Sequence, residues 1–262
     1  MLLRASGAVI ALALVVPQPA LAQPAGGRVR LIANPSALIG ADIATAQAMR
    51  AKGAREGLAG SMAEGAEVVV PPRQAAEPLL RRKEGAPLHP HQPDAAWIAC
   101  DGSFGITRGR WTDAGQSAGQ GGRQGGGQYA TVWQRHPKKG QYQWRLTLEA
   151  VAASLPDAPE FLVGLVADCP ARPGPGSSDD RPPARPAKNA PVVQRPLAGP
   201  IPADDAPAGS DSHLAQSNDG TLAWRATVRP DGSRAFRAWQ WKDGAMAEIV
   251  HLDAPALPGQ GG

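Results

Sequence analysis

The sequence predicts an α+β chain: N-terminal helices packed on a curved antiparallel sheet that closes into a cone, then a disordered linker and a C-terminal β-meander. Three observations predict it. Between Asp94 and Glu149 four tryptophan-bearing segments read as consecutive strands: Ala95–Asp101, Ser103–Thr112, Gln128–His136 and Gln141–Glu149. Upstream of them apolar residues recur at helical spacing. Downstream, beyond a Pro-rich tract, three more strand-like segments are joined by tight-turn residues.

The first residues carry a leader pattern. Arg4 supplies positive charge, Gly7–Val16 is a short apolar core, and Ala20-Leu21-Ala22 precedes Gln23. This reads as a secretory signal over residues 1–22, cleaved after Ala22, and places the mature chain in the periplasm or outside the cell. No later segment approaches the roughly 18 consecutive apolar residues of a membrane-spanning helix, so no membrane span is expected.

The cone-fold region is assigned to residues 30–169. Asn34-Pro35-Ser36 offers a helix cap and a first-turn proline. Leu38, Ile39, Ile43, Ala46 and Met49 then give one apolar face, and Gly53 marks the stop. A second short helix is expected over Arg55–Met62, a buried strand over Glu67–Pro72 with its β-branched Val68-Val69-Val70, and another short helix over Gln74–Arg82. In the sheet, Asp101-Gly102 and Lys138-Lys139-Gly140 have hairpin-turn chemistry, and the Gly- and Gln-rich Asp113–Gly127 reads as a lengthened, flexible loop. Alternation on the fourth strand puts Tyr142, Trp144, Leu146 and Leu148 on one face and Gln143, Arg145, Thr147 and Glu149 on the other.

Residues 170–212 are loaded with Pro, Ala, Asp, Arg and Ser and cannot bury enough apolar area to offset their ordering entropy, so a disordered linker is expected. The meander occupies 213–254, with strands at Thr221–Arg229, Ser233–Lys242 and Ala245–Leu252, turns at Pro230-Asp231-Gly232 and Lys242-Asp243-Gly244, and Trp224, Trp239 and Trp241 as apolar payload. Three strands cannot form a sufficient core alone, so this unit should dock on the main domain or on a partner chain. Residues 255–262 read as a disordered tail.

The chain has two cysteines, Cys100 and Cys169. An oxidising compartment permits one disulfide between them, the alternative being two buried thiols. The formal charge is +4, and the basic residues are scattered rather than gathered on a face, which excludes a nucleic-acid-binding reading.

The order of helices, buried strand, short helix and long sheet resembles the nuclear transport factor 2-like superfamily, the cone fold that includes ketosteroid isomerase and SnoaL-like cyclases. The resemblance covers roughly Pro35 to Val151. It is carried by the Pro35–Arg50 helix, Glu67–Pro72, the run Ala96-Trp97-Ile98-Ala99-Cys100-Asp101-Gly102-Ser103-Phe104-Gly105-Ile106-Thr107-Arg108-Gly109, and the pair Thr131–Arg135 and Gln141–Arg145. It is most similar to an exported branch whose strands read "xVWxR" then "WR/K". The resemblance implies dimerisation through the outer sheet face. In isomerase-like members a carboxylate near the first long strand takes the substrate proton. Here Val68-Val69-Val70-Pro71-Pro72 ends without an acid, and that residue is not carried over.

No Ser–His–Asp set, phosphate loop, nucleotide fingerprint or metal-ligand spacing is present, and no cofactor is implied. His89 and His91 are the one close histidine pair, set in a proline-flanked loop at the mouth of the cone. Trp97, Trp111, Trp133 and Trp144, with Arg108 and also Arg135 and Arg145 on the same strands, are the candidate lining of a pocket for a small apolar or aromatic ligand. The expected function is therefore an exported, non-catalytic ligand-binding or protein-interaction module. An isomerase-, cyclase- or dehydratase-type enzyme using His89 or His91 is the alternative, and an envelope structural protein the second.

Overall fold

The computed structural model describes residues 33–82, 88–112, 125–152, 155, 157–169 and 199–256. The leader, most of the Asp113–Gly127 loop, linker residues 170–198 and tail residues 257–262 lie outside that set.

Helix α1, Pro35–Lys52, starts where Asn34 accepts at Oδ1 from the backbone N–H groups of Ser36 (3.0 Å) and Ala37 (3.4 Å). It ends at Gly53, whose φ of 87° suits glycine. Its buried face is Leu38, Asp42, Thr45, Ala46 and Met49, while Ile39 and Ile43 are half-buried. Two polar residues thus sit where a purely apolar stripe was expected, because each has an inward partner. Helix α2, Ala54–Ala59, is shorter than the Arg55–Met62 expectation. It crosses α1 so closely that a Cβ on Gly57 would fall 2.3 Å from the Met49 nitrogen.

Strand β1 occupies Met62–Val68, earlier than the expected Glu67–Pro72. It is followed by β2 (Gln74–Ala75), which folds back on Val68 and Glu67, and by α3 (Ala76–Leu80), where a single helix over Gln74–Arg82 was expected. The tryptophan strands are β3 (His91–Ile98), β4 (Phe104–Thr112), β5 (Gly126–Arg135) and β6 (Tyr142–Val151), with β7 at Val163–Val166. Together they form a seven-stranded sheet in the order β2-β1-β6-β5-β4-β3-β7. The sheet is mixed, not antiparallel as expected. Its four central strands run antiparallel, but β1 lies parallel to β6 and β7 parallel to β3. Both parallel neighbours arrive by crossover rather than by hairpin.

A bulge reverses the expected parity of β6. Val132 faces Leu146, but Trp133 faces Trp144, leaving Arg145 as an extra residue on β6. Tyr142 and Trp144 consequently pack on the helix side, and Leu146, Leu148 and Ala150 on the other. Thr147 and Glu149, expected on the wet face, are buried.

Strands β8 (Asp211–Gln216), β9 (Leu222–Val228), β10 (Arg234–Lys242) and β11 (Ala245–Ala254) make a second, four-stranded antiparallel sheet in the order β11-β10-β9-β8. The β10–β11 turn places Asp243 and Gly244 at φ 50° and 82°, as its Asp-Gly sequence requires. Strand β8 was not expected; its first two residues fall within the segment read as linker.

Leu222, Trp224, Ala226, Phe236, Ala238, Val250 and Leu252 of the second sheet share one apolar cluster with Ala95, Trp97, Ile106, Ala130, Val132, Leu146 and Leu148 of the first. The layers therefore run helices, seven-stranded sheet, four-stranded sheet. The outer face expected to pair two copies is covered instead by the chain's own second sheet. Polar clasps fasten the layers at one end: the Gln240 amide to the Ile98 carbonyl (3.1 Å), the Cys100 N–H to Thr221 (2.9 Å), and Lys242 to Asp168 (2.6 Å). Nearby, the Cys100–Cys169 disulfide, with Cα atoms 5.4 Å apart, ties the turn after β3 to the end of β7. On β7, Val163 and Leu165 stay exposed. No helix among the described residues is long and apolar enough to cross a membrane.

Candidate functional site

Glu149 organises the polar interior of the helix-side layer. Strand β3 begins at His91 rather than at Ala95, which brings the histidine pair up against β6. Glu149 accepts from the His89 backbone N–H (2.8 Å) and is bonded by His89 Nδ1 (2.7 Å) and by His91 Nε2 (2.8 Å). Each imidazole is also stacked on an aromatic ring, His89 on Trp111 with centroids 3.9 Å apart and His91 on Tyr129 at 3.8 Å. Beyond His91, the Tyr129 hydroxyl donates to Asp42 at 2.8 Å. The pair expected in a loop is thus half inside: 31 % of the His89 side chain is exposed, but only 6 % of His91.

The two buried carboxyls are tuned in opposite directions. Burial pushes Asp42 above its ordinary value, and His91, Thr107 and Tyr129 offset this only in part. Burial also acts to raise Glu149, but the two histidine hydrogen bonds outweigh it and hold the carboxyl below its ordinary value. Burial, reinforced by Asp42, pushes the Tyr129 phenol well up. From the far side, Arg234 of β10 donates to the backbone carbonyls of Val69 (3.2 Å) and Glu149 (3.3 Å), and burial lowers its guanidinium.

This interior is nearly filled. Among Asp42, Thr45, His91, Thr131, Trp133 and Thr147 there remains a cavity of about 10 Å³, the space of one water molecule. The cavity borders His91 and Asp42 but not Glu149 or His89, whose imidazole is partly exposed.

The tryptophans singled out above do not line one pocket. Trp97 lies between the sheets; Trp133 and Trp144 lie on the helix side, where their indole N–H groups donate to Thr107 Oγ1 and to the Leu58 carbonyl, each at 2.8 Å. Trp111 is the platform under His89, its Nε1 without a partner among the described residues. Arg108, half-buried between Ala95 and Ala130, makes no ion pair or hydrogen bond among the described residues. No group of three or more His, Cys, Asp or Glu among the described residues is placed to hold a metal ion.

Sizeable hollows lie elsewhere. An open groove of about 640 Å³ runs between α1, α2 and the β5–β6 turn, lined among others by Ala41, Ala48, Gly57, His136 and Gln143. Where β8 and β9 meet the ends of β1, β5 and β6, an open cleft of about 800 Å³ separates the two sheets. Its floor is a cross-strand row: Phe104 pairs with Gln134, and Gln134 with Gln143. The Phe104 ring tilts against Trp224, centroids 5.1 Å apart. Arg135 donates from Nε to the Gly140 carbonyl at 3.0 Å, and Arg145, the bulge residue, to the Glu64 carbonyl. His136 accepts at Nδ1 from the backbone N–H groups of Lys138 (3.2 Å) and Lys139 (3.1 Å), which leaves its ring proton on Nε2. At the other end Arg73 joins Glu67 (2.7 Å) and Asp211 (3.0 Å), while His213 contacts Glu67 at 3.2 Å.

Of the residues weighed from the sequence, Arg135 and Arg145 reach this cleft, whereas Trp97, Trp111, Trp133, Trp144, Arg108, His89 and His91 do not. Phe104, His213 and Trp224 join it from distant parts of the chain, a convergence that no local spacing encodes. No family model and no curated protein matches the chain.

Proposed function

We propose that the chain is an exported, non-catalytic binding module of the cone-fold type, similar to the nuclear transport factor 2-like superfamily, whose ligand site lies between its two sheets. One observation carries this reading: the cleft of about 800 Å³ sets Arg135 and Arg145 beside Phe104 and Trp224, whereas the helix-side groove of about 640 Å³ is lined mainly by alanines and glycines of α1 and α2 and by the β5–β6 turn. The helices on one face of the first sheet and its four central antiparallel strands agree with the resemblance; the parallel β1 and β7 depart from it. An acid–base role for His89 or His91 has less support, since both rings are engaged by Glu149 and sandwiched in packing.

The test is a fragment screen by heteronuclear NMR on the mature chain. Ligand-induced amide shifts should centre on Phe104, Gln134 and Ala215. Shifts centred on Thr131, Trp133 and Thr147, or on Ala41, Ala48 and Gly57 of the helix-side groove, would place the ligand on the helix side and reject the reading. Export is checked separately by fractionation and N-terminal sequencing, which should find a mature chain beginning at Gln23.

A further inference from the structure

We propose that the cleft takes an organic anion: a carboxylate, sulfonate or phosphate head carried on an aromatic or apolar body. This rests on the reading of the cleft as the ligand site. Arg135 and Arg145 are both fastened by main-chain carbonyls, those of Gly140 and Glu64. A carbonyl orients a guanidinium without cancelling its charge, so most of the five N–H donors on each group are left to a ligand. Neither arginine has a carboxylate within ion-pair distance among the described residues, in contrast to Arg73, which is engaged by Glu67 and Asp211.

The acids on the lining do not balance the two cations. Glu67 is paired with Arg73, and Glu64 is exposed with no ion-pair partner among the described residues. Among those residues the lining thus carries one carboxylate without a cationic partner against two guanidinium groups without an acidic one. His136, whose Nδ1 accepts from two backbone N–H groups, offers its Nε2–H as a further donor to the cleft. Phe104 over Trp224, with Leu146 beside them, supplies an apolar floor next to these donors. Cationic forks beside an aromatic floor match a molecule with a charged head and a flat body. A neutral polyhydroxylated ligand would use the Gln134 and Gln143 amides but would leave both guanidinium charges unanswered.

Isothermal titration calorimetry on the full mature chain with 2-naphthoate and 2-naphthamide separates these cases, because the probes share a ring and differ in charge. The naphthoate should bind about tenfold tighter or more, as expected for hydrogen bonds to a charged group, and should weaken with rising salt. In the Arg135→Gln/Arg145→Gln double variant this preference should disappear while the thermal midpoint stays close to wild type. Equal affinity of the two probes, with amide shifts in the cleft, would overturn the anion inference and leave the cleft as the ligand site. Binding of neither probe, or shifts located elsewhere, would overturn both.

Discussion

Leu146 points to the opposite side of the first sheet from Trp144, although the two stand two positions apart on one strand. The cause is Arg145, which the β5–β6 ladder skips. That one extra residue sends Trp144 to the helices, Leu146 and Leu148 to the second sheet, and Glu149 to the histidines. Arg145→Ala keeps the bulge and should cost less than about 1 kcal/mol. Deleting Arg145 makes Trp144 and Leu146 adjacent opposite Trp133 and Val132, restores a period of two and leaves every later side chain of β6 in its own layer. The deletion variant should therefore keep a single cooperative thermal transition by circular dichroism; loss of that transition would refute this account of the bulge.

Glu149→Ala should destabilise the chain by about 3 kcal/mol or more, since two imidazoles and the His89 N–H lose their shared acceptor inside the fold. Its pH dependence has a definite sign. The folded carboxyl titrates below its ordinary 4.5, so its contribution is complete above that value and is lost as pH falls through the folded one. Glu149→Gln should therefore show a shallower acid limb than wild type in urea melts below about pH 5.

Asp42 works the other way. Its folded value lies above the ordinary 3.8, so its contribution is complete below that value and is lost as pH rises through the folded one. Asp42→Asn keeps an acceptor for the Tyr129 hydroxyl and removes the titration. Relative to wild type, its stability should improve as pH is raised above about 4 and level off once the folded carboxyl has ionised; a difference that does not change with pH would refute this account of Asp42.

The Cys100–Cys169 bridge spans 69 residues of sequence. A Cys100→Ser/Cys169→Ser variant should lose roughly 3–5 kcal/mol by chain-entropy reasoning, seen as a lower urea midpoint. Alkylation of the native chain without reductant should leave its mass unchanged.

Phe236→Ala tests whether the sheets form one cooperative unit. Phe236 is fully buried between them, so truncation should cost about 3–5 kcal/mol. Tryptophan fluorescence, which reports both layers, and circular dichroism should still follow a single, coincident transition.

The central strands were legible because tryptophan and β-branched residues alternate with polar ones and Asp-Gly or Lys-Gly pairs separate them. Strand β8 was not. Its Asp-Ser-His-Leu-Ala-Gln has one large apolar residue, Leu214, which is 46 % exposed, and an edge strand needs little more. β7 was hidden for the same reason, with Val163, Gly164 and Leu165 all exposed. Bulges escaped because a skipped residue leaves composition untouched and changes only parity. Glu149 escaped because its partners lie 58 and 60 residues earlier, and the cleft because its walls meet only after both sheets are stacked.

The stacking also fixes an order of events. Strands β3 to β6 precede by a long stretch of chain the residues that close one of their apolar faces, which come only with Leu222–Ala254. A chain interrupted before its last strand therefore carries a sticky sheet rather than a smaller domain.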